Sequence, residues 1–77
     1  MKEREIAIVT GGSGGIGRCT AMSLAKAGCK VYELSRHAKE GTPGVEHLTA
    51  DTTDEQSVQA AVAEVERREG RIDILVC

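Results

Sequence analysis

The sequence predicts an α/β fold in which strands and helices alternate around a parallel sheet. Four short apolar runs are typical of buried strands, and they lie at residues 6–9, 31–34, 45–50 and 72–76. Two longer stretches place apolar residues at helical spacing, and each stretch ends at a glycine. The resulting order, β-α-β-β-α-β, implies a parallel sheet with right-handed crossovers.

The first helix is predicted over residues 16–27. Its apolar or small positions recur at helical spacing, and they are Ile16, Thr20, Leu24 and Ala27. Gly28 follows where a helix-ending glycine belongs. Residues 37–44 are polar and contain Pro43, so they predict a loop between the second and third strands.

The second helix is predicted to begin at a capping box formed by residues 53–56. In this arrangement Thr53 caps the N–H of Gln56, and Gln56 reaches back. The apolar face then consists of Val58, Ala61, Val62 and Val65. Gly70 ends the helix before the fourth strand.

The stretch at residues 10–17, T-G-G-S-G-G-I-G, lies between the first strand and the first helix, and five of its eight residues are glycine. Backbone N–H groups and the helix dipole favour an anion at such a turn, and glycines let a pyrophosphate approach closely. A P-loop is excluded because Arg18-Cys19 stands where Lys and then Ser or Thr are required. The alternative is a glycine-rich connection without a ligand.

The spacing T-G-x-x-x-G-x-G resembles the short-chain dehydrogenase/reductase family, and it is formed by Thr10, Gly11, Gly15 and Gly17. Four further segments match in order: Ser35-Arg36, Asp51-Thr52, residues 53–58 and residues 71–76. The resemblance covers essentially the whole chain. It implies a Rossmann-like, doubly wound parallel sheet, with the strand order 3-2-1-4 for the part present. Residues 1–77 would be the N-terminal part of a single dinucleotide-binding domain.

The resemblance also implies which residues bind the cofactor: Gly11, Ser13, Gly14, Gly15, Ile16, Gly17, Arg36, Asp51 and Thr52. The glycines would shape the turn under the pyrophosphate, with Ser13 bonding phosphate or ribose oxygens and Ile16 presenting its backbone to the nicotinamide-side ribose. Asp51 would accept from the adenine amino group, with the Thr52 backbone beside it. The alternative for Asp51 is a helix-capping acid, and the two roles are compatible.

Arg36 favours NADP(H) over NAD(H), which stays possible. A site that prefers NAD places an acid near the end of the second strand for the ribose 2′-hydroxyl, whereas Ser35-Arg36 offers a hydroxyl and a guanidinium suited to a phosphate. Glu33 is expected to point away along the strand. The alternative is that Arg36 is a solvated loop cation, and Gly14 departs from relatives that carry a second basic residue in the turn. Arg18 and His37 are weaker candidates for that role.

Composition excludes several partners. The net charge is −2 and Tyr32 is the only aromatic residue, so nucleic acid is not expected. The apolar runs are too short to span a membrane. Three cysteines, an odd number, and the lack of a signal-peptide pattern favour a reducing cytoplasm. The cysteines and histidines lack zinc-ligand spacing, so no metal is expected.

The family's chemistry, by resemblance, is hydride transfer between a nicotinamide and a small-molecule carbonyl or secondary alcohol. The catalytic Ser, Tyr and Lys of the Y-x-x-x-K pattern are not among these residues, so no catalytic residue is assigned. The chain is therefore expected to be the cofactor-binding half of a larger reductase, homo-oligomeric in its full form. The alternatives are a non-catalytic dinucleotide-binding module, a truncated fragment without turnover, and a methyltransferase that uses S-adenosylmethionine.

Overall fold

The computed structural model describes residues 4–11, 15–36 and 44–76. Its elements, in chain order, are β1 (Ile6–Thr10), α1 (Gly15–Lys26), β2 (Lys30–Ser35), β3 (Val45–Thr49), α2 (Glu55–Glu69) and β4 (Ile74–Val76). All strand pairs are parallel, and the strands lie in the order β3-β2-β1-β4. The predicted alternation and strand order are confirmed.

The two central strands are buried because helices cover both faces of the sheet. On one face, Ala7, Val9 and Val31 pack against Ala21 of α1. On the other face, seven buried residues form a cluster that includes α2, and they are Ile6, Ile8, Tyr32, Leu34, Ala50, Ala61 and Val65. A strand that is apolar on both faces requires this double cover. Within the described ranges, no helix is both long and apolar enough to cross a bilayer.

The predicted apolar face of α1 is partly wrong. Ala21 is the buried residue of this helix, with Leu24 and Ala25 packed against the same cluster, whereas the side chain of Ile16 is 88% exposed. Ile16 lies five positions before Ala21, which is about 140° around the helix. The helix therefore presents Ile16 away from the sheet.

The start of α2 also differs from the prediction. Asp54 is the N-cap, and its side chain accepts a hydrogen bond from the backbone N–H of Gln56 at 3.0 Å. Thr53 does not cap the helix, because its hydroxyl and its backbone N–H both donate to Asp51. The end of α2 is confirmed at Gly70, which adopts φ +83° and donates from its N–H to the carbonyl of Glu66.

β4 is shorter than predicted and pairs only with β1 among the described strands. Asp73 prevents an earlier start because its carboxylate accepts from the N–H of Ile6 at 2.8 Å, in place of a backbone carbonyl. At the other end of the strand, the hydroxyl of Thr10 donates to the carbonyl of Val76 at 3.3 Å. These bonds fix β4 beside β1 at both ends.

We expect Tyr32 to make the free energy of unfolding fall at high pH. Burial raises the pKa of Tyr32 to about 12, and its hydrogen bond to Glu69 adds to the shift. In the unfolded chain the phenol ionises near its ordinary pKa of 10.0. The contribution of the protonated Tyr32 phenol to the free energy of unfolding is thus complete below about pH 10, and it is lost as the pH rises toward about 12.

Urea unfolding of the chain and of Tyr32→Phe, between about pH 9 and about pH 12, measures this contribution. The unaltered chain should lose stability more steeply than the variant. Equal slopes would contradict a raised pKa for this phenol in the folded state.

Candidate functional site

The glycine turn begins where β1 ends. Gly11 adopts φ +70°, which only glycine takes without strain, and its N–H donates to the carbonyl of Leu34 at 3.0 Å. α1 then begins at Gly15. Residues 12–14, which include the predicted cofactor ligands Ser13 and Gly14, lie outside the described residues, as do His37 and Cys77.

Gly11 and Gly15 have no close neighbours among the described residues on the side where a Cβ atom would project. A Cβ atom added at Gly11 or at Gly15 would meet no heavy atom of the described residues within 4 Å. A groove of about 590 Å³ begins at the N-terminal end of α1 and runs along the helix. It is lined by Gly15, Ile16, Cys19, Thr20, Ser23 and Leu24. The first turn of α1 carries no acidic residue. The helix dipole would therefore favour an anion there, and no carboxylate of the first turn would repel it.

The predicted cofactor-binding residues at the start of α1 differ in their exposure to solvent. Gly15 and Ile16 are exposed, whereas Gly17 is half-buried within the first turn of α1. Gly17 accordingly belongs to the packing of the helix as well as to the turn. The hydroxyl of Thr20 donates to the carbonyl of Ile16 at 3.0 Å and so stays within the helix.

The carboxyl ends of β2 and β3 bring Arg36 and Asp51 together. Ser35, the last residue of β2, accepts from the N–H of Ala50 at 2.9 Å, so the two chain segments leave the sheet side by side. Arg36 Nε then lies 3.5 Å from Asp51 Oδ1, with 64% and 41% of the side chains exposed. Such an exposed pair adds little stability, so the guanidinium is available to a stronger anion.

Asp51 is held in place by the segment that leads into α2. Its Oδ1 accepts from the N–H of Thr53 at 2.9 Å and from the Thr53 hydroxyl at 2.6 Å, and its own N–H donates to the hydroxyl of Ser57 at 2.8 Å. The hydrogen bonds from Thr53 hold the pKa of this carboxyl below its ordinary value, and Arg36 adds to the effect. Asp51 thus organises the approach to the helix, while Asp54 caps it.

This arrangement leaves the second oxygen of Asp51 outside the contacts with Arg36 and Thr53, which all go to Oδ1. Thr52 is exposed beside it. A carboxylate that keeps one oxygen free at the sheet edge is able to accept a hydrogen bond from an amino group.

Sequence reasoning missed a buried polar pair beneath Ser35. Glu33 is only 6% exposed, and its Oε1 lies 2.8 Å from Nδ1 of His47 on β3. Nδ1 also lies 3.5 Å from the hydroxyl of Ser35. The expectation that Glu33 points away from Ser35 is wrong, because residues two apart in a strand share a face. The sequence thus placed Glu33 on the side of Ser35, whereas its contact with His47 depends on the register between β2 and β3.

Solved structures of dehydrogenases share this architecture. Aldohexose dehydrogenase of Thermoplasma acidophilum, in its ligand-free form, has a TM-score of 0.89 and 33% sequence identity, over 95% of this chain and 28% of that chain. A short-chain dehydrogenase of Streptomyces avermitilis has a TM-score of 0.87 at 28% identity, over 97% of this chain and 30% of that chain. The parallel sheet, with a helix on each face and a glycine turn after the first strand, defines a Rossmann-like fold.

Residues 5–77 match the family model described as short chain dehydrogenase. A short chain dehydrogenase of Monascus purpureus is 43% identical over 84 residues, which is 88% of this chain. The 3-ketodihydrosphingosine reductase of Bacteroides thetaiotaomicron is 38% identical over 72 residues, which is 94% of this chain. The chain belongs to the short chain dehydrogenase family, whose members are oxidoreductases that use nicotinamide cofactors.

The chain spans 29% and 27% of the lengths of these two relatives. The family resemblance and the fold class predicted from the sequence are confirmed. The role of each site residue stays a prediction.

We expect two glycines of the turn to respond differently to alanine. Gly11→Ala should lower the free energy of unfolding by about 1 kcal/mol, because φ +70° is unfavourable for a residue with a Cβ atom. Gly15→Ala is the matched control, since Gly15 is the first residue of a helix and its added methyl group meets open space. Urea unfolding measures both values, and equal losses would contradict the strain assigned to Gly11.

Proposed function

We propose that this chain binds NADP(H) as the N-terminal part of a single dinucleotide-binding domain. In the complete reductase, it would hold the cofactor for hydride transfer to or from a carbonyl or secondary alcohol. From the odd number of cysteines we also place the protein in a reducing compartment, the cytoplasm. Assembly into homo-oligomers belongs to the same proposal.

The position of Arg36 supports the choice of NADP(H). Its guanidinium is exposed at the carboxyl end of β2, the edge where dinucleotide-binding folds hold the adenosine ribose. Its partner in the described structure is Asp51, through an exposed contact of 3.5 Å. A 2′-phosphate carries more charge and more acceptor oxygens than the carboxylate of Asp51. It would therefore replace Asp51 as the partner of the Arg36 guanidinium.

Asp51 gains a second function when Arg36 turns to the phosphate. The hydrogen bonds from Thr53 keep the carboxylate oriented and ionised without the guanidinium. Its Oδ2 would then accept from the adenine amino group, and the backbone of Thr52 would lie beside the base. The same acid would still organise the approach to α2.

The pyrophosphate would lie against the start of α1. The open space beside Gly11 and Gly15 and the absence of acid in the first helical turn fit this group. Ser13, Gly14 and Gly17 complete the proposed turn, and the backbone of Ile16 would face the nicotinamide-side ribose. The bound cofactor would supply the hydride chemistry, while these residues would bind and orient it.

Tyr32, the one tyrosine of the sequence, has no part in that chemistry. It is 1% exposed in β2 and is hydrogen-bonded to Glu69, and burial raises its pKa to about 12. A phenol in this state holds its proton at neutral pH and does not reach the carboxyl edge of the sheet. The described residues therefore support cofactor binding and assign no proton donor.

Arg36→Ala tests the proposal directly. The variant should raise the Kd for NADPH about tenfold or more, because a charge-assisted contact to the 2′-phosphate is lost, while the Kd for NADH should change little. Arg67→Ala is the matched control, since Arg67 is an exposed arginine paired with Glu64 on α2. Titration of each protein with NADPH, NADH and S-adenosylmethionine gives the constants.

Equal weakening of NADPH and NADH by Arg36→Ala would contradict a contact to the 2′-phosphate. Tight binding of S-adenosylmethionine, with neither dinucleotide bound, would assign the chain to a different class of Rossmann-like protein.

Gly15→Ala tests the pyrophosphate site. Its methyl group meets no described atom, so the fold should be unaffected, but it would occupy the space proposed for the phosphates. We expect the Kd values for NADPH and NADH to rise together, about tenfold or more. A variant that unfolds normally and binds both cofactors as the parent does would show that the phosphates lie elsewhere.

A further inference from the structure

Four polar side chains form a cluster on the α1 side of the sheet, at the carboxyl ends of β2 and β3. Glu33 pairs across the strands with His47, and Ser35 pairs with Thr49. Val31 and Val45, two residues earlier on each strand, pack in the apolar cluster under α1, so all these residues share one face. The polar cluster continues that face to the edge where Arg36 and Asp51 meet.

His47 is the hydrogen-bond partner of Glu33 among the described residues. Glu33 is more than nine-tenths buried, and its Oε1 lies 2.8 Å from Nδ1 of His47. Its Oε2 is buried and has no hydrogen-bond partner in the described part of the chain. A carboxylate only accepts hydrogen bonds, so Nδ1 carries the proton in this contact. Nε2 of the same ring lies 3.0 Å from the hydroxyl of Thr49.

The cluster bears on the 2′ position of the proposed cofactor. Nδ1 of His47 lies 3.5 Å from the hydroxyl of Ser35, so one imidazole separates the buried carboxylate from the residue before Arg36. An acid at this end of β2 would favour a ribose 2′-hydroxyl and repel a 2′-phosphate. When Oε1 of Glu33 accepts from the imidazole, one oxygen and part of the charge of the carboxylate are engaged, so Glu33 exerts both effects less strongly.

We propose that His47 is a specificity-determining positioning residue, which engages Oε1 of Glu33 in a hydrogen bond and thereby leaves Arg36 to a 2′-phosphate. This inference rests on the proposed function. Removing the imidazole would release a carboxylate with both oxygens unpartnered, on the face of Ser35. That carboxylate would weaken NADPH by repulsion and strengthen NADH by accepting from its 2′-hydroxyl.

The test compares Kd values for NADPH and NADH in the unaltered chain, His47→Ala, His47→Gln and the double variant Glu33→Gln/His47→Ala. His47→Ala should lower the preference for NADPH about tenfold, through opposite changes in the two constants. His47→Gln, whose amide still donates to Glu33, should lower it less. The double variant should return to within about threefold of the parent, because no carboxylate remains to be occupied.

Thr49→Val is the matched control, since Thr49 contacts the same ring from Nε2 but does not touch Glu33. Its preference for NADPH should equal that of the parent. Circular dichroism of each variant confirms folding, and the double variant, which buries no charge, keeps the comparison available if His47→Ala does not fold.

Equal weakening of both cofactors by His47→Ala, or the same preference in the single and double variants, would show a structural role only and overturn the inference. Arg36→Ala, measured in parallel, separates this failure from that of the proposed function. A loss of NADPH preference in Arg36→Ala but not in His47→Ala leaves NADP(H) binding in place and removes only the role of His47. A parent chain without any preference for NADPH overturns both.

Discussion

The parallel pairing of β1 with β2 is the constraint on which the rest of the structure depends. Its last hydrogen bond joins Gly11 N–H to the carbonyl of Leu34, so the glycine turn and the residues after Leu34 leave the sheet at the same level. Because both strands are buried by helices on two faces, a change of register would expose apolar residues on both sides. The site is therefore positioned by the core and not by the loops that carry it.

Two candidate anion contacts of different kinds lie at the carboxyl edge of the sheet. After β1, the candidate contact is the start of α1, whose first turn has no acidic residue, and its dipole favours an anion without a charged side chain. At β2 and β3, charged side chains meet, and their arrangement depends on hydrogen bonds from the chain that leads into α2. The first contact suits the part shared by all dinucleotides, and the second suits the part in which NAD and NADP differ.

Much of this architecture follows from local patterns in the sequence. The apolar runs predicted the alternation of strands and helices in a parallel sheet. Gly28 and Gly70 predicted the ends of both helices, because backbone conformations that require glycine are locally determined. Arg36 and Asp51 each follow a strand of the predicted parallel sheet, so the sequence placed both at the same edge. Their contact was seen only in the structure. The inward face of α1 could not be predicted from the sequence. Ile16 and Ala21 lie on different faces of the helix, and only packing against the sheet decides which face is buried.

The start of α2 and the Glu33–His47 pair required three-dimensional information. Thr53 and Asp54 are both good capping residues, and the choice depended on Asp51, which accepts from Thr53. Glu33 and His47 are distant in sequence, and their contact depends on the register between β2 and β3. Such cross-strand pairs have no local signature.

The placement of the single aromatic ring has a practical consequence. The sequence has no tryptophan or phenylalanine, so near-ultraviolet absorption and emission from the polypeptide come from one buried phenol. Its partners, Glu69 and the Lys30 ammonium 5.6 Å from the ring centre, lie toward the amino ends of the strands, at the opposite edge from the glycine turn. The chain thus contains an intrinsic optical reporter of its own packing, located at the edge of the sheet opposite the glycine turn.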